Sequence, residues 1–505
     1  MKKQIFILLL LLLSNGLAAF GQKSYNIINY GAKTGARYNN AVAIQKAIDA
    51  AAKNNGGKVI IPVGNFTTGP IILKSGVEMH FEDDAALLGS TNRLDYSDDK
   101  MGVILARGQH NISITGKGLI NGRGRELVIN LLQLLTEGKV QDAQWKLKRP
   151  TEKNRPPIIS FHDCTDVKVT DVTIKDASGW VQNYNSCNGV VIDHITVESM
   201  AYWNNDGIDI VDSKNVEITN SFFNAADDAI CLKSEDVNKS CENIWVENCT
   251  LRSSASGFKL GTGSLGAFRK ITVKNLTVYN TYRSAIALES VDGAVIEDIE
   301  IRNVIGKNIG NAIFIRLGHR NTDERYSSIR NVLIDGVKAD VPNSKPDMGY
   351  PVEGPAPKVA SHNLVPASIT GLPGHLVQNI TLQNIDITYG GGADKTIAYA
   401  PINELDKVTE NMAGYPEFTM FAELPAWGLY VRHAEGIKLN NFKISVTKPD
   451  FRPAFVFDDV TGLALDSLAV PITASLPAIV YKGVGQLTTN NVALPAGNNT
   501  TITQK

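Results

Sequence analysis

Asp206, Asp227 and Asp228 fall in two short stretches that follow one another along the chain. The first reads Trp203-Asn204-Asn205-Asp206-Gly207-Ile208-Asp209 and the second Ala226-Asp227-Asp228-Ala229-Ile230-Cys231-Leu232-Lys233. Cleavage of a glycosidic bond requires one carboxylic acid to protonate the leaving oxygen and one carboxylate to activate water. Crowding three carboxylates on neighbouring strands raises the pKa of one enough to hold a proton at neutral pH. A lone aspartate in a turn is usually a solvated capping group. An adjacent pair following so closely on an Asn-x-Asp-Gly is a rarer coincidence, and it points to acid–base chemistry. Cations recur on the same kind of strand: Lys233, Lys259 in SGFKLGT and Arg316 in AIFIRLGHR. Each can be a surface charge or a grip for an anionic sugar, and the guanidinium of Arg316 suits a carboxylate best. His319 and Arg320 follow it in a loop, where binding residues concentrate. Trp180, Tyr202, Trp203 and Trp427 offer ring faces to a sugar or to the core.

The elements that position these residues repeat. Short runs of β-branched residues alternating with polar ones start at Asn111, Asp166, Gly189, Asn215, Asn243, Lys270, Ala294, Asn331, Asn379, Gly436 and Gly462. From Asp166 to Ala294 the starts advance in even steps of roughly 25 residues, the period of a solenoid repeat. Longer steps follow, which places insertions at one corner. A second run precedes most of these units, as in GIDIVDS, DAICLKS, SGFKLGT and AIALESV. Short strands at such a period predict an all-β solenoid, a right-handed parallel β-helix. The separation of Asp206 from Asp228 is close to one period, which puts the two at the same height on adjacent turns. The spacing of AVAIQKAIDAAA from Ala41 predicts an amphipathic helix after Asn39-Asn40, capping the first turn and hiding its open edge. Residues 22–105 form that cap and the first strands, and 22–505 a single domain. Excursions are expected at 123–157, which reads as helical, and at 340–376, rich in Pro, Gly and Ser.

Lys2 and Lys3 precede an apolar run from Ile5 to Leu13, and Ala19-Phe20-Gly21 ends in small residues. Residues 1–21 therefore read as a secretory signal peptide, too short for a membrane anchor, and the protein is expected to be exported to the periplasm or the medium. Fifty Lys+Arg against 51 Asp+Glu give a net charge of -1. That balance gives no sign of a nucleic-acid partner, and the 43% hydrophobic content excludes a disordered chain. Five cysteines (Cys164, Cys187, Cys231, Cys241 and Cys249) lack any Cys-x-x-Cys spacing and read as small buried side chains with one or two bridges at most. No phosphate loop, zinc-ligand spacing or Ser-His-Asp set is present. Glu82-Asp83-Asp84 would point alternately from a strand and not form a metal cage. No cofactor, metal, or membrane span is expected, and the chain is expected to act as a monomer.

With these motifs in view, the chain resembles glycoside hydrolase family 28, the polygalacturonases and other pectin-degrading hydrolases. The resemblance runs over nearly the whole chain, opening with INYGAKTG, AIQKAIDAA, GGKVIIPVGNF and GPIILKSGVEMHFEDDAALLGS. The family's Asn-Thr-Asp motif corresponds to Asn204-Asn205-Asp206 and its Asp-Asp pair to Asp227-Asp228. The resemblance implies an inverting mechanism in which Asp227 is the general acid and Asp206 and Asp228 orient and deprotonate water. Inversion calls for carboxyl groups about 6.5–9.5 Å apart. Two family motifs are missing. Ser256 stands at the histidine of Gly-His-Gly, and Ala287-Leu288-Glu289 replaces the Arg-Ile-Lys that holds the galacturonate carboxylate. A uronate there would face Glu289, so Lys259 or Arg316 must compensate, or Glu289 binds the hydroxyls of a neutral sugar such as rhamnose. The implied substrate is a plant-type pectic polysaccharide or oligosaccharide, with Asn204, Lys233, Lys259, Glu289 and Arg316 as substrate-binding residues.

Two other readings compete. A polysaccharide lyase on the same solenoid would eliminate with an Arg or Lys base and Ca²⁺, and the adjacent aspartates favour hydrolysis over it. A non-catalytic carbohydrate-binding β-helix, such as an adhesin, is favoured by the missing histidine and opposed by the three retained carboxylates.

Overall fold

In the computed structural model, residues 23–344, 346, 366–394, 396, 401–470, 477–494 and 501–504 are described. The signal-peptide reading of residues 1–21 and most of the expected excursion 340–376 lie outside them. The described chain winds into a right-handed parallel β-helix. Each strand pairs in parallel with its equivalent one turn away. One aliphatic column runs in register through Ile112, Val167, Val190, Val216, Ile244, Ile271, Ile299, Val332, Ile380 and Ile437. All ten side chains are buried. Their neighbours in sequence alternate outward, as the two-residue period of a strand demands.

Asparagines make the corners. Asn220, Asn248, Asn275 and Asn303 all sit at positive φ, 50° to 55°, a conformation that asparagine tolerates better than most residues. Their amides stack into a ladder: Asn248 donates to Asn220 at 3.2 Å, Asn275 to Asn248 at 3.0 Å, and Asn303 to Asn275 at 3.1 Å. The next residue of this corner is Gly336, and an open hollow of about 430 Å³ lies there, between Asn303, Lys338 and Asp386.

The helix Ala41–Lys53 (α1) buries Ile44, Ala47, Ile48 and Ala51 over the first turn. Its entry differs in detail from the expectation. Asn39, not Asn40, accepts from the N–H of Ala41 at 3.0 Å, while the Asn40 amide is buried and donates to the carbonyls of Lys33 and Thr67. The excursion at 123–157 is α-helical only over Gly124–Thr136 (α2), with a short 3-10 turn at Glu152–Asn154. Glu137-Gly138 stops α2, with Gly138 at φ 71° and Lys139 donating to the Leu134 carbonyl. Within 340–376, Ala367–Thr370 is a strand in register with Phe314–Arg316. All five cysteines are buried free thiols.

A second excursion, the lobe 401–427, escapes the repeat pattern. Leu405, Val408, Phe418, Leu424 and Ala426 close an apolar cluster with Phe314, Tyr430, Val456 and Val480. Those four project from successive strands of one face of the solenoid. The same face carries the aspartates. Among the described residues, no helix is long and apolar enough to cross a membrane.

Candidate active site

Backbone hydrogen bonds stack the site at one height. Val181 donates to the Asp206 carbonyl, Gly207 to Asp228, Ala229 to Ser256 and Gly257 to Ser284, at 2.8–2.9 Å. Asp206, Asp228, Ser256 and Ser284 therefore follow one another on four consecutive turns. Gly207 is required by this packing, because a Cβ there would lie 2.5 Å from the Ala229 carbonyl oxygen. Asn205 locks the preceding turn. Its amide oxygen accepts from Ser199 Oγ, Ala201 N and Tyr202 N, and its Nδ2 donates to the carbonyls of Ala177 and Gly179, all within 2.9–3.1 Å. Asn204, at φ 54°, turns the other way. It accepts from Arg155 Nη2 at 2.8 Å and offers Nδ2 to Asp227 Oδ2 at 3.5 Å.

Two lysines divide the carboxylates between them. Lys233 donates to Asp206 Oδ2 at 3.1 Å, to Asp209 Oδ1 and to Cys231 Sγ at 3.0 Å, and lies 4.6 Å from the Trp180 ring centroid. One turn later Lys259 donates to Asp228 Oδ2 at 2.9 Å and sits 3.6 Å from Glu289 Oε2. Asp228 Oδ1 also accepts from the N–H of Ser256 at 2.9 Å. Asp227 Oδ1 accepts from the N–H of Asp228 at 3.0 Å.

Burial and charge pull these acids apart. Burial pushes Asp206 well above the ordinary carboxylate range, and the neighbouring Asp209 adds to it. Burial raises Asp209 to about 6 against the opposing pull of Lys233, and raises Glu289 to about 7 against that of Lys259. Burial works on Asp228 as well, but Lys259, Lys233 and Arg283 together bring it below its ordinary value. Burial thus raises Asp206 while the lysines lower Asp228, so two neighbouring carboxyls are pulled in opposite directions.

An oxygen of Asp206, one of Asp228 and the Cys231 sulfur lie within 4.8 Å of one another. The set does not suit a metal ion, because the Lys233 ammonium already contacts both Asp206 and Cys231. Asp206 and Asp228 are thus closer to each other than the separation expected of an acid and a base in an inverting pair.

The structure brings Asn204, Asp206, Asp227, Asp228, Lys233, Lys259 and Glu289 together. Lys233, Lys259 and Arg316 are not the surface charges the alternation allowed; all three are buried. Arg316 departs furthest from its expected task. It pairs in register with Glu289, but its guanidinium donates to the carbonyls of Gly371, Glu410 and Asn411 and stacks 5.1 Å from the Phe421 ring. Burial lowers it to about 10. Its role is to hold the lobe. Trp427 is buried against Tyr389, and Trp203 packs on Val128 and Leu132 of α2, so neither presents a face to a sugar. Trp180 is half-buried, with Lys233 Nζ over its ring.

Four features escaped the sequence. Asp209 was visible in the first motif, but its pairing with Lys233 depends on the register Asp209–Cys231–Lys259. Arg155 comes from the excursion after α2. Arg283, whose N–H donates to the Ala255 carbonyl, flanks the Ser256 turn. Tyr415, 50% exposed, comes from the lobe and stands 5.7 Å from Lys259, 5.9 Å from Arg283 and 5.9 Å from Arg320, measured to its ring centroid.

Asp206, Asp209, Asp227 and Asp228 are thus gathered with Lys233 and Lys259 on one side of a parallel β-helix. Residues 53–350 match the model of glycosyl hydrolases family 28, and the chain belongs to that family. It is 26% identical over 372 residues to the exo-poly-alpha-D-galacturonosidase of Dickeya chrysanthemi, an overlap of 63% of this chain and 60% of that protein. With the polygalacturonase of Nicotiana tabacum it shares 24% over 404 residues, 74% of this chain and 88% of the relative. The family 28 exopolygalacturonase of Yersinia enterocolitica superposes with a TM-score of 0.60 at 16% identity, over 94% of this chain and 79% of that one, and so shares the fold.

Proposed function

We propose that the protein is an exported, inverting glycoside hydrolase of pectic polysaccharide or oligosaccharide. The observation that carries this reading is the approach of Asp206 and Asp228 within 4.8 Å. Two acceptor oxygens at that separation can share one water about 2.8 Å from each. Asp228, ionised by its lysine, is the base that takes the proton of that water. Asp206 orients the water through its second oxygen, which has no hydrogen-bond partner among the described residues. Asp227, tethered by Asn204 and the Asp228 N–H, faces the leaving oxygen as general acid. One carboxylate pair holds water and a third carboxyl protonates, so attack and departure occur on opposite sides of the anomeric carbon.

The lobe 401–427 bears on how a polymer enters. It covers the sheet face from Phe314 onward and brings Tyr415 up to Lys259. On the other side the same face stays open toward a cavity of about 280 Å³ lined by Leu105, Arg107, Ser160 and His162. A groove blocked beside the aspartates and open on one side favours attack at a chain end. The test is digestion of homogalacturonan and rhamnogalacturonan oligosaccharides with the anomer of the first product followed by NMR. Inverted product supports the reading. Retained configuration, or an unsaturated product absorbing in the ultraviolet, overturns it, the latter in favour of a lyase.

A further inference from the structure

We infer that Lys259 and Glu289 form a positioning pair that fixes the charge on Asp228, in place of the histidine that the family motif puts at Ser256. The inference rests on the reading of Asp228 as the base. Ser256 offers Asp228 only its backbone N–H. The positive charge comes from Lys259, with Nζ 2.9 Å from Asp228 Oδ2 and 3.6 Å from Glu289 Oε2. Lysine and both acids are buried, where an unshared charge would be costly.

The register shows how these residues fit together. Lys259 stands between Cys231 and Ala287, and Glu289 two residues beyond Ala287. Beside Glu289 lies Gly261, where a Cβ would fall 2.3 Å from the Glu289 carbonyl oxygen. Two small residues, Ala287 and Gly261, thus leave the space in which Lys259 and Glu289 meet. An arginine at 287 would stand directly beside Lys259, cation against cation, and a lysine at 289 would add a third positive charge. Ala287 and Glu289, where the family motif has Arg and Lys, are thus compatible with a buried Lys259. The turn before repeats the pattern, with Lys233 shared between Asp206 and a second buried acid, Asp209.

The pair also grades the base. With Glu289 protonated, Lys259 belongs to Asp228 alone. With Glu289 ionised the lysine is shared, and Asp228 binds a proton more tightly. The other charged or titratable groups facing the pair are Lys233, Cys231, Asp206, Asp209 and Asp227 on the sheet, Arg283 on the turn, and Tyr415 and Glu417 on the lobe.

The test combines kinetics with a measurement that needs no substrate. Lys259→Met should move the acid limb of kcat/KM upward by about 1–3 pH units, the range for losing an opposite charge within about 4–6 Å. Lys259→Arg should restore the limb, and Glu289→Gln should move it downward. An unmoved limb in folded Lys259→Met, or a shift in the same direction in Glu289→Gln, overturns the pair. Separately, the difference in Tm between the wild type and Asp228→Asn is followed from pH 3 to 7. Asp228 is lowered in the folded state, so its stabilising contribution is present above the ordinary carboxylate range and lost as pH falls through its folded value. That difference should grow with pH in the wild-type background and lose its pH dependence alongside Lys259→Met. Persistence of the dependence overturns the inference even if no pectic substrate is turned over, so failure of the pair and failure of the hydrolase reading are told apart.

Discussion

Ser256 meets Asp228 through its main chain alone, N–H to Oδ1 at 2.9 Å, so no imidazole stands beside that carboxylate. The groups next to Asp206 and Asp228 that are raised toward neutrality are instead two buried acids, Asp209 at about 6 and Glu289 at about 7.

A first expectation follows for stability. Both acids are raised on folding, so between about pH 4 and 7 these two sites bind more protons in the native chain than in the unfolded one. Their contribution to stability should therefore fall as pH rises through that window and level off above it. Asp209→Asn and Glu289→Gln should each flatten part of the slope in urea titrations at fixed pH. A pH slope that is the same in the wild type and in both variants would contradict the burial of these charges.

Asp227→Asn should lower turnover by about 10²–10⁴ with the fold unchanged, the usual contribution of a positioned proton donor. Near wild-type rates in a variant with native circular dichroism would place the acid elsewhere.

Arg283 and Arg316 should separate substrate recognition from architecture. Arg283 lies at the Ser256 turn beside the exposed Tyr415, so Arg283→Ala should raise KM for uronate-containing oligosaccharides more than for neutral ones. Arg316→Ala leaves the carbonyls of Gly371, Glu410 and Asn411 without their donor and should cost on the order of 2–4 kcal/mol of stability. If Arg316→Ala changed substrate preference at unaltered Tm, the assignment of Arg316 to the lobe would be wrong.

With the lobe closing the face beside Lys259, early digestion of a long pectic chain should release small terminal products while viscosity stays high. A ladder of intermediate lengths appearing first would show that chains thread past Tyr415.

The solenoid was legible because its signal is local. Columns such as Val190–Val216–Ile244–Ile271 are spelled out by alternation and period, and the same arithmetic puts Asp206 and Asp228 on adjacent turns. What the sequence hid depends on direction and distance. Alternation tells which residues point outward, but not that outward means solvent. Lys233, Lys259 and Arg316 all point outward and are all buried, by the acids around them or by the lobe. The lobe itself carries no repeat, so nothing in residues 401–427 announced that Phe418 and Leu424 would settle on Phe314 and Tyr430. Arg283 was obscured for a similar reason, since it lies in the strand Ala267–Ser290 where the register shifts between Thr281 and Ser284, and alternation does not foretell that shift.

The lobe has a consequence for how the molecule comes apart. In a plain solenoid each turn touches only its neighbours, so ends fray one turn at a time. The apolar patch under residues 401–427 joins Phe314, Tyr430, Val456 and Val480 across strands that otherwise have only nearest-neighbour contacts. Removing any one of those turns exposes part of a cluster shared by the rest. The C-terminal half is therefore fastened into a single cooperative block, reaching to the edge of the catalytic face, while the turns before the aspartates keep the piecemeal unfolding of an unfastened stack.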